Sequence, residues 1–382
     1  MCTNVLRVSQ ILGYFPIPNG SRRKIVNFLP IVSTLAFCIF GVGNIFIFVP
    51  FLCEEQSIKG ATTRGGRQLV SSTFYSTILI KGAVHIFAVI FVRFTLFLRR
   101  EELSQFYREF ISLLETFSTF SLKTNSPEKV AETGPARRNR YEIRLRLELI
   151  LLYLSCIAFI ADMWEGYLVN PVKGASLISS LMIVLPPTLG YIQAIFPFLL
   201  TYFLNWYLEI LCELRASNFT VVDARIQLYY RLSANVSSFV RVFGTCIVID
   251  VAHSVMRIVF CAYFVATSPT TPFATVRGTI SDVFTVLAYC YLLFTICTKG
   301  SQLEGKSGDF IKTCDHGFGE GGAFCGAYLL KPYRPQLAKI SLDTDYFRVN
   351  LGLITPIVGT VMTNLIVLMQ FQNGDRAVVN AK

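Results

Sequence analysis

Long runs of apolar residues alternate with polar, basic segments along the whole chain. Seven runs with few charges are long enough to cross a bilayer as helices, which takes about 20 residues each. They cover residues 25–52, 68–97, 147–168, 176–205, 240–266, 280–298 and 350–371. The runs lack the two-residue alternation that marks a membrane β-barrel. The pattern therefore predicts an all-α membrane protein with seven transmembrane helices.

Composition agrees with this class. Of the 382 residues, 53% are hydrophobic and 15% are charged, which excludes an ordinary soluble domain. The 11 cysteines are spread through predicted helices and cytoplasmic loops and form no disulfide framework. The sequence shows no nucleophile, general base or metal-ligand constellation, so it predicts neither an enzyme nor a cofactor.

The basic residues set the predicted orientation. With the N-terminus inside, 25 of the 35 lysines and arginines fall in cytoplasmic segments and 7 in outer segments. Because positive charge accumulates on the cytoplasmic side, we expect a cytoplasmic N-terminus and an extracellular C-terminus. Anionic inner-leaflet lipids account for the net charge of +11, so no nucleic-acid partner is expected.

The cytoplasmic segments also carry helical patterns. Residues 106–117 and 141–154 are predicted to prolong the second and third spans as helices, and residues 206–241 repeat apolar positions at helical spacing. Residues 300–326, in contrast, contain eight glycines and are predicted to be poorly ordered. Their G-x-G-x-x-G run follows no strand, and their Cys and His residues lack a fourth metal ligand, which argues against nucleotide or metal binding.

Three polar side chains form a stripe on the fifth predicted helix. Asp250, His253 and Arg257 are spaced three and four residues apart, so they share one helix face. A charge near the bilayer centre costs about 2.5 to 3.5 kcal/mol, so partners or a wet cavity are expected. Two interpretations stay open: contact with a ligand, or a structural stripe in which His253 bridges Asp250 and Arg257.

The second predicted helix adds further charge. Lys81 and His85 lie one turn apart, whereas Arg93 is near the cytoplasmic end and is expected to snorkel to the interface. Lys81 is too deep for that, and its expected partner is either Asp162 or Asp250. Either pairing would place charge inside the helix bundle.

Aromatic and amide groups add candidates for a pocket wall. Trp164 lies at the outer end of the third predicted helix and Tyr289 lies in the sixth, where either is also an ordinary interface or core residue. Gln193 lies beside the prolines of the fourth predicted helix, which should bend it. Gln193 is therefore a candidate hydrogen-bond donor to a ligand.

The last apolar run ends in TNLIVLMQF, residues 363–371. This ending resembles the C-terminal signature of arthropod gustatory receptors, which is Thr-Tyr, five hydrophobic residues and Gln-Phe. Thr363, Gln370 and Phe371 match the signature, and Asn364 replaces the Tyr. The preceding residues also look like the family's approach to its last helix, with a Gln-Leu pair and a Phe-x-x-Asn element.

The resemblance implies a ligand-gated, non-selective cation channel of the plasma membrane that detects a small-molecule tastant. Family members assemble as homotetramers, or as heterotetramers with related receptors, within the membrane lipids. The resemblance also implies five segments: a cytoplasmic N-terminus (1–24), a ligand-binding six-helix bundle (25–298), a cytoplasmic segment that leads to the last helix (299–349), a pore helix (350–371) and an extracellular tail (372–382). The cytoplasmic extensions would form an anchor region between subunits. The alternatives are a metabotropic seven-helix chemoreceptor or a transporter.

A pore helix must repeat one face around the ion path. Thr363, Val367, Gln370 and Phe371 form one helical stripe and are the predicted pore lining and gate. An aromatic ring at the mouth can exclude water and an amide can meet ions. The alternative is that Gln370 and Phe371 are interfacial residues. Leu365, Ile366 and Leu368 are expected to pack on neighbouring helices.

Overall fold

A computed structural model describes residues 72–124, 195–216, 222–267, 276–316 and 337–380, together with Ser9, Tyr14, Val32, Leu35, Ile39 and Gln193. Six α-helices make up most of these ranges: α1 (Ser72–Leu98), α2 (Arg100–Thr124), α3 (Ile195–Ala216), α4 (Val222–Thr267), α5 (Val276–His316) and α6 (Ile354–Asn380). The only extended pairing described is an isolated antiparallel bridge between Asp343 and Arg348. The described part of the chain is therefore all-helical, as predicted.

Five of these helices contain segments that are long and apolar enough to cross a membrane. The segments are Ile80–Leu98, Ile195–Arg215, Ala224–Thr267, Thr279–Cys314 and Leu351–Gly374. They correspond to five of the seven predicted spans and make this a multi-pass membrane protein. Apart from three isolated residues of the first, the predicted spans 25–52 and 147–168 lie outside the described residues.

The helices continue well beyond the predicted spans. At 1.5 Å per residue, the 46-residue α4 is about 69 Å long, roughly twice the hydrocarbon thickness. Its first half buries the periodic positions seen in the sequence, and the helical prediction for this part of 206–241 is confirmed. These buried residues are Leu228, Tyr229, Leu232 and Val236. Helix α2 likewise confirms the helix predicted over 106–117, and residues 141–154 lie outside the described residues.

Helix α5 corrects one prediction. It continues to His316, so the poor order expected from residue 300 onwards is wrong for 300–316. Packing overrides the low helix propensity of glycine here, because the α5 backbone meets residues 337–350 closely. A Cβ atom on Gly300 would lie 2.0 Å from the Val349 carbonyl oxygen. Residues 317–336, which hold the glycine run and Cys325, lie outside the described residues.

An aromatic cluster joins α2, α3 and α4 at the end of the bundle away from the Ser72 end of α1. The Phe203 ring of α3 is fully buried, with ring centroids of five other aromatic residues 5.0 to 5.9 Å away. Those five are Phe106, Phe110, Tyr202, Phe239 and Phe243. Several of the pairs are edge-to-face, an arrangement that favours aromatic contact. The cluster fixes how these three helices pack.

Helix α6 is attached to the bundle along one narrow stripe. Ile357 and Val361 are half-buried and pack against the hydrophobic core, and α6 contacts α1 and α4. The span within it is the most apolar of the five and the least buried. The helix continues to Asn380, past the predicted boundary at residue 371.

Candidate ligand site and pore-lining helix

The polar side chains of α1, α4 and α5 meet in the interior, where the three helices lie side by side. At the level of Phe264 in α4, the Lys81 ammonium donates to the Asp282 carboxylate at 3.3 Å and lies 4.7 Å from the Phe264 ring centroid. Both charged side chains are mostly buried, 19% and 23% exposed. The expected pairing of Lys81 with Asp250 is therefore wrong, because Asp282 lies at the same height on the adjacent helix. The alternative partner, Asp162, lies outside the described residues.

One turn further along α1, two imidazoles and a guanidinium form a buried group. His85 Nδ1 lies 2.7 Å from His253 Nε2, and the Arg257 guanidinium contacts His85 Nε2. All three side chains are at most 2% exposed. Tyr289 of α5 closes the group, with its ring centroid 5.7 Å from that of His253 and 5.9 Å from Arg257 Cζ.

The donor and acceptor roles in this group follow from Arg257. A guanidinium only donates, so His85 Nε2 accepts and the His85 proton is on Nδ1. That proton is donated to His253 Nε2, which places the second proton on His253 Nδ1. Among the described residues, His253 Nδ1 has no hydrogen-bond partner, and neither does the buried Ser254 hydroxyl. The group therefore presents an N–H donor inside the bundle.

A second polar group lies nearer the N-terminal end of α4, at Asp250. Gln193 Nε2 donates to Asp250 Oδ1 at 3.2 Å, and its Oε1 accepts from the Tyr14 hydroxyl at 2.7 Å. Arg93 Cζ lies 3.9 Å from the Tyr14 ring centroid. Tyr14 and Arg93 are both fully buried. The expectation that Arg93 snorkels to the interface is therefore wrong.

The structure thus separates the predicted Asp250–His253–Arg257 stripe into two groups. Asp250 is joined to Gln193, whereas Arg257 and His253 both contact His85, so the proposed bridge through His253 is wrong. Seven residues correspond to about 10 Å along a helix, which is too far for Asp250 to meet Arg257 directly. Of the predicted candidates, Lys81, Gln193, Asp250, His253, Arg257 and Tyr289 lie along one interior column. Asp162 and Trp164 lie outside the described residues.

Two members of this column were missed in the sequence. Asp282 is a lone acidic residue within an apolar span, and such a residue by itself signals a buried partner. Tyr14 gives no comparable signal, because it lies in a polar segment before the first span and only the fold brings it to Gln193.

The four predicted pore residues lie together on the outward face of α6. Thr363 and Gln370 are exposed, as are Val367 and Phe371, the last at 62%. At 100° per residue, Thr363, Val367 and Gln370 point about 120° to 180° away from Val361, which faces the bundle, and Phe371 points about 80° away from it. Ile366 is also exposed in the single chain, so its packing on neighbouring helices of an assembly stays a prediction. Leu365 and Leu368 are half-buried, as expected.

The fold is similar to that of an insect olfactory receptor, OR5 from Machilis hrabei. The structure of OR5 in complex with eugenol aligns with a TM-score of 0.61 at 13% identity, over 96% of this chain and 97% of that chain. A second OR5 structure gives a TM-score of 0.60 at 11% identity, over 96% of each chain. No protein-family profile and no curated protein matches the sequence. At these identities the similarity is one of fold.

Proposed function

We propose that this chain is a chemoreceptor subunit of the plasma membrane, forming a ligand-gated, non-selective cation channel of the arthropod gustatory type. The main observation behind the proposal is the exposure of α6. Its span is the most apolar and least buried of the five, and its signature residues point away from their own chain. Four such helices, from a homotetramer or from a heterotetramer with related receptors, would enclose the pore.

Two further observations support this function. The fold is that of an insect olfactory receptor whose structure was solved with eugenol. The signature Thr363, Gln370 and Phe371 resembles that of the gustatory branch. In this arrangement the N-terminus is cytoplasmic, the C-terminus is extracellular, and the activity is ion conduction without catalysis.

The interior column is the proposed tastant site. His253 Nδ1 offers a buried donor, and the Tyr289 ring lies beside it. A matching ligand is a small molecule with an oxygen acceptor next to an apolar body. His253→Phe keeps a ring but removes the Nδ1–H donor, together with the Nε2 atom that accepts from His85, and it should raise the half-maximal agonist concentration about five- to tenfold.

The channel is tested by expressing the chain alone and recording membrane current during application of a panel of tastants that includes eugenol. Phe371→Ser should allow current without ligand, because the aromatic barrier to water is removed. Gln370→Glu adds one carboxylate per subunit and should increase divalent block. Val361→Ser is the control, because its side chain faces the bundle and should affect surface level rather than permeation.

Unchanged basal current in Phe371→Ser and unchanged selectivity in Gln370→Glu, at wild-type surface levels, would reject the pore assignment. A ligand response that requires a G protein and carries no current through the chain itself would favour the metabotropic alternative.

A further inference from the structure

One face of α5 holds the segment that leads into α6. Gly300, Glu304 and Ser307 recur at helical spacing and all meet residues 337–350. The Ser307 hydroxyl accepts from the Ile340 amide at 3.0 Å. At Gly300 the backbones are so close that a side chain would overlap the Val349 carbonyl. We call these three residues the α5 clamp.

Glu304 is the centre of the clamp. Its Oε1 accepts from Lys339 at 2.9 Å and from Arg348 at 3.3 Å, and its Oε2 accepts from Asn350 Nδ2 at 3.4 Å. The Glu304 side chain is 17% exposed, whereas Lys339 and Arg348 are each 50% exposed. Charge-assisted hydrogen bonds are stronger than neutral ones, more so where water is partly excluded. One carboxylate thus gathers three donors from the approach to α6.

Asn350 connects this carboxylate to α6. Its Oδ1 accepts from the Gly352 amide at 3.0 Å and caps the short 3₁₀ turn Leu351–Leu353, which continues directly into α6. A cap satisfies amides that the helix itself leaves open. Glu304 therefore fixes the orientation of the residue from which the last helix begins.

Helix α5 also reaches the interior column. Tyr289 lies fifteen residues before Glu304 on the same continuous helix, a separation of about 22 Å. The clamp therefore joins the first turn of α6, through polar contacts, to a helix that contributes directly to the candidate ligand site.

We propose that Glu304 is a positioning residue that holds the first turn of α6 in the resting arrangement, so that releasing it loosens α6 and raises channel activity without ligand. This inference rests on the proposed channel function. It adds a control point that lies outside both the ligand column and the pore face.

The test uses the purified full-length protein and the same variants in cells. Glu304→Gln should increase amide hydrogen exchange over residues 351–360 roughly tenfold, because it weakens the bond to the Asn350 cap and removes the ion pairs with Lys339 and Arg348. It should also raise basal current severalfold at equal surface level. Asp345→Asn is the matched control, because it removes one carboxylate from the same segment at an exposed position, and it should change neither quantity. In a double-mutant cycle, Glu304→Gln and Asn350→Ala should be non-additive.

Each outcome decides the proposal. Unchanged exchange over 351–360 in Glu304→Gln overturns the clamp, whether or not current is recorded. Faster exchange with wild-type basal current, in a channel that Phe371→Ser opens, overturns its control of gating. If every variant including Phe371→Ser is silent, the proposed channel function fails, while the exchange measurement still decides whether Glu304 holds α6.

Discussion

The interior column and α6 are opposite in character. The column collects charged and polar side chains where α1, α4 and α5 bury them, whereas α6 exposes the most apolar span that the structure describes. In water this distribution would be inverted. In a bilayer it is expected, because lipid is as apolar as leucine and the costly groups are the polar ones, which must find partners inside the protein.

The difference separates side chains that find their contacts within one chain from side chains that one chain leaves exposed. The column makes its hydrogen bonds and its ion pair within the same bundle, and among the described residues it leaves the His253 Nδ1 donor open. The signature face of α6 makes no such contacts, and Thr363 and Phe371 point outward. In the proposed channel, the bundle would therefore determine stability and ligand contact, and α6 would serve assembly and conduction.

The strongest test of this comparison makes the same substitution in the buried core of the bundle and on the outward face of α6. Phe203→Ala removes a ring that five other aromatic residues surround, and it should lower the free energy of unfolding by about 3 kcal/mol or more. Phe371→Ala removes a ring that is 62% exposed and should leave unfolding nearly unchanged. Thermal unfolding of the detergent-purified proteins measures both effects.

A large loss of stability in Phe371→Ala, together with a small one in Phe203→Ala, would contradict the division. If Phe371→Ala lowered only the stability of an oligomer, with the isolated chain unaffected, the comparison would be sharpened: α6 would then be buried by other subunits.

Much of this architecture could be predicted from apolar run length and helical spacing. These signals located five described spans, the helix over 106–117, the periodic positions around Tyr229 and the outward stripe of α6. They are local properties, and a helix expresses them without reference to its neighbours.

The partners of the polar residues could not be predicted in the same way. Lys81 pairs with Asp282, 201 positions away, because the two helices are adjacent at that height. Sequence spacing on one helix also could not reveal that Arg257 contacts His85 of another helix, whereas Asp250 contacts Gln193. The glycine-rich part of α5 misled for a related reason, since Gly300 is stabilised as helix by contact with Val349 in a distant segment.

Two glycines give a second test of the comparison, with a smaller effect. An alanine at Gly300 would press against the Val349 carbonyl, so Gly300→Ala should cost about 2 kcal/mol and loosen residues 337–350. An alanine at Gly359 of α6 would meet nothing within 4 Å, so Gly359→Ala should be neutral or stabilise the helix by up to about 1 kcal/mol. Unfolding and hydrogen exchange of the full chain report both changes.

Equal effects of the two substitutions on the isolated chain would show that α6 is packed within its own subunit after all. If Gly359→Ala leaves the isolated chain intact but weakens the oligomer, the outward face of α6 is a close subunit contact.

The smallest effect is expected at the turn between the two regions. Arg348 Nε donates to Asp343 Oδ1 at 2.6 Å and the Ser341 hydroxyl donates to Oδ2 at 2.6 Å. Partial burial raises the pKa of Asp343, but these hydrogen bonds outweigh it and hold the pKa below its ordinary value. The stabilisation is therefore present above the unfolded-state pKa and is lost as pH falls through the lower folded-state pKa.

Exposed pairs of this kind are weak, so lowering the pH from about 6 to about 3 should speed exchange of the Val349 amide only roughly twofold, after correction for intrinsic rates. That amide reports on the turn, because it donates to the Leu342 carbonyl across it at 2.9 Å. Asp343→Asn should remove most of this pH dependence while leaving Glu304 in place. Neither the aromatic cluster nor the outward face of α6 carries a carboxylate. The change in exchange rate with pH should therefore match the change in the intrinsic rates in both places. Protonation of Glu304 should also loosen residues 351–360 in this range, so the comparison is made over residues 363–371. A steeper acid response there than in the turn would mean that the whole last helix is held mainly through ionised groups of the turn and of the α5 clamp. Its narrow contact with α1 and α4 would then be the weaker attachment.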